Sequence, residues 1–355
     1  MPGVPAAPDM SSTQPRPVYV IGAGPGGLAV AAALRARGVR AVVVEKSDGV
    51  GASWRGHYAR LHLHTTRRLS ALPGLAIPRR FGRWVSRDDV VRYLEKYAEF
   101  HELELVTGVE VTRIERAPAA AGAGDGAGDG DGAPAGEGPG WLLHASGGRV
   151  LAGRAVVVAT GFNHTPRLPD WPGRDTYTGA LAHASAYRDP KPYEGRDVLV
   201  VGAGNTGAEI AVDLAEGGAA RVRLAVRTAP HIVRRSTAGW PAQRTGILVR
   251  RLPVRLVDRL GALTAKVSVP DLTAYGLPRP ESGLYSRVRQ GAIPVQDVGL
   301  IAAVRAGTVE PVAAVEAFDG AEVVLADGSR ITPDAVVAAT GYRRGLEGLI
   351  GHLDV

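Results

Sequence analysis

The sequence predicts an α/β protein in which one pattern occurs twice. Each copy is a short apolar strand, a glycine-rich turn, a helix with apolar residues at helical spacing and a second apolar strand. The strands and helix of the first copy are predicted at 18–22, 28–37 and 41–45, and those of the second at 198–201, 208–215 and 222–226. Two separate dinucleotide-binding (Rossmann-like) folds are therefore expected.

The composition is that of a packed protein of two ordinary domains. Of the 355 residues, 45% are apolar and 22% are charged, which is typical of a globular chain. The formal net charge of +7 comes from scattered arginines with no basic block among aromatics, so no nucleic-acid partner is expected. The absence of cysteine excludes disulfides, thiolate metal sites and cysteine nucleophiles.

Two segments have the composition of disordered chain. Residues 1–17 lack the apolar core of a signal peptide and are predicted to be a disordered leader. Residues 118–140, almost entirely Gly, Ala, Asp and Pro, are predicted to be a flexible loop between strands at 109–116 and 141–145. No apolar run approaches the roughly 18 residues that cross a bilayer, so we expect a cytoplasmic protein with no membrane partner.

The first glycine turn has the spacing of a dinucleotide site. Residues 22–27 (GAGPGG) follow a strand and precede a helix, and Glu45 ends the next strand. Gly22 permits the tight turn, Gly24 lets the backbone approach a pyrophosphate, and Gly27 lets the helix pack on its strand. The helix N-terminus would face the phosphates, and the Glu45 carboxylate would accept hydrogen bonds from the ribose. The turn alone is weak evidence, but the acid at this distance favours a dinucleotide site.

The second glycine turn, residues 202–207 (GAGNTG), is followed by a different residue type. Arg227 stands where the first copy has an acid. A guanidinium pairs with a 2′-phosphate that an acid would repel, so this site is predicted to prefer NADP(H) over NAD(H). The competing interpretation makes Arg227 a solvated cation at the end of a strand. Arg234 and Arg235 are further candidates for the same phosphate.

Two dinucleotide sites on one chain indicate electron transfer between two cofactors, most simply a hydride from a nicotinamide to a flavin. Disulfide reductases share this layout but pass the electrons on through a pair of cysteines. The chain contains no cysteine, which excludes that class.

Several motifs resemble those of the flavin-containing monooxygenases. Residues 177–187 (YTGALAHASAY) are similar to the family fingerprint F-x-G-x-x-x-H-x-x-x-[FY], with Tyr177 in place of Phe. Residues 51–55 (GASWR) resemble the flavin loop G-G-x-W with Ala at the second glycine. Residues 61–64 (LHLH), with Leu72-Pro73 after them, look like the auxin-forming YUCCA-type branch. The segments 159–161 (ATG) and 339–342 (ATGY) complete the pattern.

The resemblance implies an FAD- and NADPH-dependent monooxygenase. In that family NADPH reduces FAD, oxygen adds to the flavin C4a position, and the hydroperoxide transfers one oxygen atom to a small organic substrate while water is excluded. It also implies an NADPH domain inserted in an FAD domain. We therefore expect FAD-binding residues at 18–170 and 305–355, a linker with the fingerprint at 171–194, and NADPH-binding residues at 195–304.

The flavin carries the chemistry, so no catalytic side chain is assigned, and the two candidates are His183 and Asn205. His183 would seat NADP or hold the domains in register, or it is a satisfied structural histidine. Asn205 would face the flavin or the nicotinamide, or cap its helix.

The remaining expectations concern residues around the flavin. His62 and His64 alternate as in a strand, so only one of them can face the flavin, and no metal site is expected there. Trp54 and Arg55 are expected to line the flavin, with a core position as the alternative for Trp54. The full set of expected cofactor-binding residues is Gly22, Gly24, Pro25, Gly26, Gly27, Glu45, Lys46, Trp54, Arg55, His62, Thr160, Gly161, Gly202, Gly204, Asn205, Thr206, Gly207, Arg227, Thr340 and Gly341.

Members of the family continue after the ATGY segment into a further strand and helix, which we do not find before Val355. We expect either a truncated chain or an FAD site completed differently, for example by a partner subunit.

Residues 240–298 are expected to form the substrate side, and sulfides, amines, an indole-type 2-oxo acid and ketones all fit, with the basic charge slightly favouring an acid. An uncoupled NADPH oxidase or flavin reductase and a non-catalytic homologue are the alternative functions. The expected partners are a small-molecule substrate and O2. The sequence leaves open whether the chain forms a homo-oligomer.

Overall fold

The computed structural model describes residues 15–118, 140–237 and 239–354. Most of the predicted leader and most of the predicted Gly/Ala/Asp loop lie outside the described residues. The helices are α1 Pro25–Arg35, α2 Ala52–Arg55, α3 Arg67–Ser70, α4 Arg87–Phe100, α5 Asn205–Glu216, α6 Ala242–Val249, α7 Val254–Ser268, α8 Leu284–Arg289, α9 Leu300–Ala306 and α10 Glu347–Ile350.

The strands of the N-terminal half are β1 Val18–Ile21, β2 Ala41–Val44, β3 Glu104–Val106, β4 Val111–Arg116, β5 Trp141–Ala145, β6 Arg149–Gly153 and β7 Ala155–Val158. Those that follow are β8 Thr165–Pro166, β9 Ala180–His183, β10 Asp197–Val201, β11 Arg221–Ala225, β12 Ile232–Arg234, β13 Ser236–Thr237, β14 Trp240–Pro241, β15 Val295–Asp297, β16 Glu310–Val312, β17 Val315–Asp319, β18 Glu322–Leu325, β19 Arg330–Ile331, β20 Ala335–Ala338 and β21 Tyr342–Arg343.

The contacts divide the chain into two compact units. The first comprises the residues up to Ala52, Leu94–Gly161 and the residues from Arg344 on, and the second comprises Ser53–Tyr93 and Phe162–Arg343. The chain leaves the first unit directly after the segment 159–161 (ATG), and it leaves the second one residue after 339–342 (ATGY).

The first unit is built on a parallel sheet in the order β3-β2-β1-β7. Val18 is in register with Ala41 on one side and with Ala155 on the other. An antiparallel sheet β4-β5-β6 supplies the second layer, and side chains of both layers, among them Val42 and Leu143, form one apolar core. Residues 344–354 belong to this unit: Leu349 of α10 joins the same core, and His352 Nε2 lies 2.8 Å from the Ile114 carbonyl oxygen.

The second unit repeats the arrangement of the first parallel sheet. Its sheet has the order β16-β11-β10-β20-β9, with Val198 in register with Val222 and with Ala335. Helix α5 packs on the sheet through Ile210 and Leu214, both fully buried. An antiparallel sheet β17-β18-β19 contributes to a second apolar cluster in this unit.

Both predicted β-α-β units are present, with small differences at the helix starts. Helix α1 begins at Pro25 and α5 at Asn205, three residues before the predicted positions 28 and 208 in each case. The reason is local: the glycine turn itself starts the helix, because Gly24 and Gly204 are the N-cap residues and Pro25 occupies the first helical position, where its missing N–H costs nothing.

The domain limits expected from the sequence differ from the grouping of the contacts. Strand β20 pairs with β10 and β9, and β16 pairs with β11, so residues from 305 to 343 lie in the second unit rather than with the first. Residues 53–93 also lie in the second unit. The sequence pattern does not predict which unit these residues join, because the strand 335–338 is equally apolar in either sheet.

Within the described residues, no helix combines the length and the apolar character that crossing a membrane requires.

Candidate functional site

The first glycine turn has two positions that only glycine can occupy. Gly22 has a φ of +106°, and a Cβ there would lie 2.6 Å from the Ala159 carbonyl oxygen. A Cβ on Gly27 would collide with the carbonyl oxygen of Gly22. The turn, the start of α1 and the segment 159–161 are therefore packed backbone against backbone.

The other two glycines of this turn face open space. A Cβ on Gly24 or Gly26 would meet no described atom within 4 Å. No side chain of the described residues caps α1, and Gly24 is its N-cap. The first amides of the helix are thus available to an anion, and the absence of side chains at Gly24 and Gly26 leaves room for a pyrophosphate to approach them.

Glu45 lies at the end of β2 beside this turn and is only 7% exposed. Its Oε2 accepts a hydrogen bond from the Ala23 N–H at 2.7 Å. Its Oε1 accepts from the Ser47 N–H and hydroxyl at 3.0 and 2.9 Å. The two oxygens of a carboxylate offer about four acceptor positions, so one stays available for a ribose hydroxyl. The three bonds also fix the orientation of the carboxylate.

The second glycine turn reproduces the geometry of the first. Gly202 has a φ of +107°, and a Cβ there would lie 2.6 Å from the Ala339 carbonyl oxygen. A Cβ on Gly207 would collide with the Gly202 carbonyl oxygen, whereas one on Gly204 would meet nothing within 4 Å. No described side chain caps α5. In each unit the N-cap glycine of the helix that follows the turn thus has open space where a Cβ would lie.

The two ATG segments occupy corresponding places beside the two turns. Ala159 N–H donates to Ile21 at 2.8 Å, and Ala339 N–H donates to Val201 at 2.9 Å. Gly161 and Gly341 both have a positive φ, of +81° and +82°. Thr340 donates its hydroxyl to the Arg167 carbonyl. Ala159 and Thr160 therefore border the first turn, and Ala339 borders the second.

Arg227 follows β11 and lines a cleft of about 830 Å³ in the second unit. Three other arginines line the same cleft and are ion-paired: Arg221 and Arg223 with Glu310, and Arg330 with Asp319 and Glu322. Arg227 is exposed, and none of the described carboxylates forms an ion pair with it. It is the cleft arginine whose charge is left for an anionic ligand.

Arg234 and Arg235, the further candidates for the phosphate, are bound elsewhere. Arg234 donates to the Ser268 carbonyl at 2.7 Å. Arg235 donates to the Leu63 carbonyl and stacks 4.1 Å from the Trp84 ring centroid, and burial lowers its pKa. Arg234 ends β12 and Arg235 follows it, and the bonds of both side chains are made within the second unit.

Asn205 does not take the capping role considered for it, and both polar atoms of its side chain bond within the second unit. Its Nδ2 donates to the Pro294 carbonyl at 3.0 Å, and its Oδ1 accepts from the Gln296 N–H at 2.7 Å. The N-cap of α5 is Gly204, so Asn205 does not cap the helix. Both polar atoms of the amide bond to the backbone around the start of β15. Asn205 therefore connects the glycine turn to that strand.

Two tyrosines of the fingerprint 177–187 donate side-chain hydrogen bonds within the second unit. Tyr177 donates its hydroxyl to the Pro333 carbonyl at 2.6 Å, and burial raises its pKa to about 12. Gly179 has no room for a Cβ, which would meet the Tyr177 ring. Tyr187, 2% exposed, donates to Asp213 of α5 at 2.8 Å.

His183 is the central residue of the fingerprint and is buried. Its Nδ1 accepts from the Ser185 N–H at 3.0 Å, and its Nε2 lies 3.0 Å from the Gly341 carbonyl oxygen. Both ring nitrogens are therefore satisfied within the second unit. This geometry favours the structural alternative for His183.

The residues expected around the flavin are dispersed. Trp54 packs against the core of the second unit, as its alternative assignment proposed, and Arg55 is exposed in the same unit. His62 is exposed with Nδ1 2.7 Å from the Arg60 carbonyl oxygen. Lys46 is exposed and lies 4.0 Å from Glu110.

The alternation predicted for the LHLH segment is present: His62 is exposed, whereas His64 is half-buried and its Nε2 lies 3.0 Å from Glu209 Oε1. Glu209, on the buried face of α5, is only 3% exposed. Tyr58 donates to its other oxygen at 3.0 Å, and burial raises the pKa of Tyr58. Sequence analysis missed this buried cluster, because Tyr58 and Glu209 are 151 residues apart and neither belongs to a motif.

A family model described as flavin-binding monooxygenase-like matches residues 15–347 of the chain. The chain belongs to this family. The match includes both glycine turns, both ATG segments and the fingerprint, so the resemblance inferred from these motifs is confirmed.

Curated relatives of this flavin-binding monooxygenase-like protein include plant enzymes. It is 36% identical over 327 residues to the indole-3-pyruvate monooxygenase YUCCA1 of Oryza sativa subsp. japonica. The aligned region covers 91% of this chain and 76% of the relative. It is 33% identical over 330 residues to the probable indole-3-pyruvate monooxygenase YUCCA9 of Arabidopsis thaliana, covering 91% and 74%.

Solved structures show the same fold. The flavin-containing monooxygenase of Stenotrophomonas maltophilia superposes with a TM-score of 0.69 at 23% identity, over 97% of this chain and 83% of that one. The open structure of cyclohexanone monooxygenase superposes with a TM-score of 0.67 at 22% identity, over 95% and 75%. The predicted fold class is confirmed: a mixed α/β chain with one Rossmann-like sheet in each of two units.

Membership makes this chain an FAD- and NADPH-dependent monooxygenase that transfers one oxygen atom to a small substrate. The two turns fit these cofactors: each leaves open space at Gly24 or Gly204, and the first has an acid and the second an arginine after its second strand.

Proposed function

We propose that this monooxygenase acts on a small aromatic 2-oxo acid of the indole-3-pyruvate type. The observation that carries the proposal is the similarity to indole-3-pyruvate monooxygenases over 91% of the chain. The basic balance of the protein, with a formal charge of +7, also favours an anionic substrate.

The balanced reaction converts the oxo acid, O2, NADPH and a proton into the carboxylic acid one carbon shorter, CO2, water and NADP⁺. One oxygen atom of O2 enters the new carboxylic acid and the other leaves as water. FAD and NADPH, when bound, supply the hydride and the activation of oxygen. The protein is left with binding, orientation and the exclusion of water.

We assign the first turn to FAD. The amides at the N-terminus of α1 would bind the pyrophosphate in the gap at Gly24, with Thr160 and Gly161 beside it. The carboxylate of Glu45, held by Ala23 and Ser47, would accept a bond from the adenosine ribose.

We assign the second turn to NADPH, with the pyrophosphate at Gly204 and Thr206 on α5. The guanidinium of Arg227 would bind the 2′-phosphate, because it is the cleft arginine without a described carboxylate partner. Asn205 and His183 are positioning residues in this assignment, since their polar atoms hold the segment at Pro294 and the backbone at Gly341.

The experiment that tests the substrate compares three compounds with the purified, FAD-loaded chain: indole-3-pyruvate, cyclohexanone and methyl phenyl sulfide. We expect NADPH oxidation that depends on the oxo acid, with release of CO2 and formation of the shortened acid. Oxygenated products from the ketone or the sulfide, with none from the oxo acid, would contradict the substrate class while leaving the monooxygenase activity intact. Hydrogen peroxide equal to the NADPH consumed with all three would favour an oxidase.

A further inference from the structure

Helix α7 has a stripe of apolar side chains that faces solvent. Leu256, Leu260, Leu263 and Val267 are 47, 51, 63 and 91% exposed. Their spacing of four, three and four residues places them within roughly 60° of arc around the helix, at about 100° per residue. A continuous apolar stripe is a different feature from the scattered exposed apolar residues that any protein surface carries.

The opposite face of α7 is anchored to the second unit. Val257 is only 8% exposed and belongs to the core. The carboxylate of Asp258 accepts bonds from the Tyr285 N–H at 2.6 Å and the Ser286 N–H at 3.3 Å, at the start of α8. The helix is therefore held in a fixed orientation, and the stripe is the face that this orientation turns outward.

Exposed apolar side chains also occur in the segment directly before α7. Ile247 and Leu248 at the end of α6 are 44 and 69% exposed, and Leu252 in the connection to α7 is 44% exposed. The stretch 247–267 thus exposes seven large apolar side chains. We call this stretch the α6–α7 surface.

The charges of the α6–α7 surface have one sign. It contains the five cations Arg250, Arg251, Arg255, Arg259 and Lys266, all of them exposed. Its one acid is Asp258, which is turned inward and bound to α8. On the helix, Arg255, Arg259 and Lys266 lie within roughly 40° of each other, along one flank of the apolar stripe.

We propose that the α6–α7 surface binds the interface of an anionic lipid bilayer. An apolar stripe flanked by arginine and lysine is the pattern of a helix that lies in the plane of the interface, with the stripe among the acyl chains and the cations at the lipid phosphates. The sequence-based expectation of no membrane partner concerned segments that cross a bilayer, and a helix on the surface needs no crossing.

A second copy of the chain is the competing occupant, and the charges disfavour it. In a two-fold dimer the same patch would face itself, which would bring the five cations of one copy close to those of the other. An anionic surface has the complementary charge instead.

Sedimentation with lipid vesicles tests this proposal on the full, FAD-loaded protein. We expect the wild type to sediment with vesicles of phosphatidylcholine mixed with phosphatidylglycerol, weakly with pure phosphatidylcholine, and less at high salt. The variant Leu260→Ser/Leu263→Ser should bind the mixed vesicles at least ten-fold more weakly, and so should Arg255→Glu/Arg259→Glu. Because all four side chains are exposed, thermal unfolding should be unchanged in both variants.

The matched control is Val150→Ser, which removes an apolar side chain that is 46% exposed on β6 of the first unit. It should bind the vesicles as the wild type does. Failure of the wild type to bind the mixed vesicles would overturn the proposal. So would equal binding by the Leu260→Ser/Leu263→Ser variant, or a lipid-free dimer that this variant dissociates.

Discussion

The Nε2–H group of His183 donates a hydrogen bond to the carbonyl oxygen of Gly341 at 3.0 Å, and the Arg167 N–H donates to the same oxygen at 3.0 Å. Because Nδ1 of His183 accepts from the Ser185 N–H, the ring is held in one neutral tautomer. Burial lowers the pKa of His183, and the bond to the Gly341 carbonyl partly opposes this shift. A neutral histidine thus joins the fingerprint to the ATGY segment.

Replacing His183 by alanine should lower the free energy of unfolding by about 1–3 kcal/mol, because the Gly341 carbonyl and the Ser185 amide lose a buried partner. The stabilisation should also depend on pH. A pKa lowered by folding means that the unfolded chain binds the proton more readily, so the contribution is complete above about pH 6.5 and is lost as the pH falls through the folded pKa.

The measurement is urea unfolding of the wild type and the His183→Ala variant over this pH range. Burial also lowers the pKa of His57 and His231, so the difference between the two proteins is the informative quantity. A difference that stays constant with pH would contradict the neutral assignment.

Alanine at Gly24 or Gly204 should separate cofactor binding from folding. Both residues have an extended conformation with open space where a Cβ would lie, so each variant should unfold at about the wild-type temperature. Gly24→Ala should lose FAD, because the methyl group occupies the pyrophosphate gap. Gly204→Ala should keep FAD but be reduced slowly by NADPH.

The control for this pair is Gly22→Ala, in which the positive φ and the contact with the Ala159 carbonyl should destabilise the fold itself. Flavin absorbance, anaerobic reduction by NADPH and thermal unfolding distinguish the three variants. Retention of FAD by Gly24→Ala would contradict the assignment of the first turn.

The glycine turns were predictable because their function depends on local backbone geometry. The pattern 22–27 specifies a positive φ at Gly22, a close approach of Gly27 to Gly22 and open space at Gly24, all within the turn, and the structure has all three. The domain limits were harder to predict from the sequence, because nothing in residues 335–338 themselves shows that they pair with β10. The partners of Asn205, Pro294 and Gln296, were not predictable for the same reason, because they belong to a segment without a motif.

The preference for NADPH should depend on Arg227. Loss of one charge-assisted contact to a phosphate costs about 1.5–3 kcal/mol, so Arg227→Ala should raise the Kd for NADPH roughly 10- to 100-fold and leave that for NADH nearly unchanged. Arg221→Ala is the control, because Arg221 lines the same cleft but is paired with Glu310 at 2.7 Å. Both constants come from the concentration dependence of anaerobic flavin reduction. Equal effects of the two substitutions would argue against a 2′-phosphate site at Arg227.

The bond between Tyr58 and Glu209 should stabilise the second unit. Tyr58→Phe leaves a buried carboxylate with one partner fewer, and we expect a loss of about 1–3 kcal/mol in the free energy of unfolding. In a double-mutant cycle with Glu209→Gln, the two losses should be coupled by 0.5 kcal/mol or more, because the side chains are in direct contact at about 3 Å. Additive losses would show that the contact contributes nothing.

This cluster also shows the limit of motif-based reading. Glu209 occupies a helical position that faces the core, where an unpaired acid would be costly, and its partners Tyr58 and His64 come from a segment far away in the sequence. The acid Glu209 on an apolar helix face was the signal that the sequence offered. It predicts that a polar partner exists, but it does not predict which residue the partner is.

The most direct test of the account follows the oxygen atoms. The FAD-loaded chain is supplied with NADPH, the 2-oxo acid and O2 labelled with a heavy oxygen isotope. The mass of the product acid is then measured by mass spectrometry. A monooxygenase incorporates one heavy oxygen atom per molecule of NADPH consumed, and the other appears in water. Consumption of NADPH with all of the heavy oxygen recovered as hydrogen peroxide, and none in an organic product, would contradict the account.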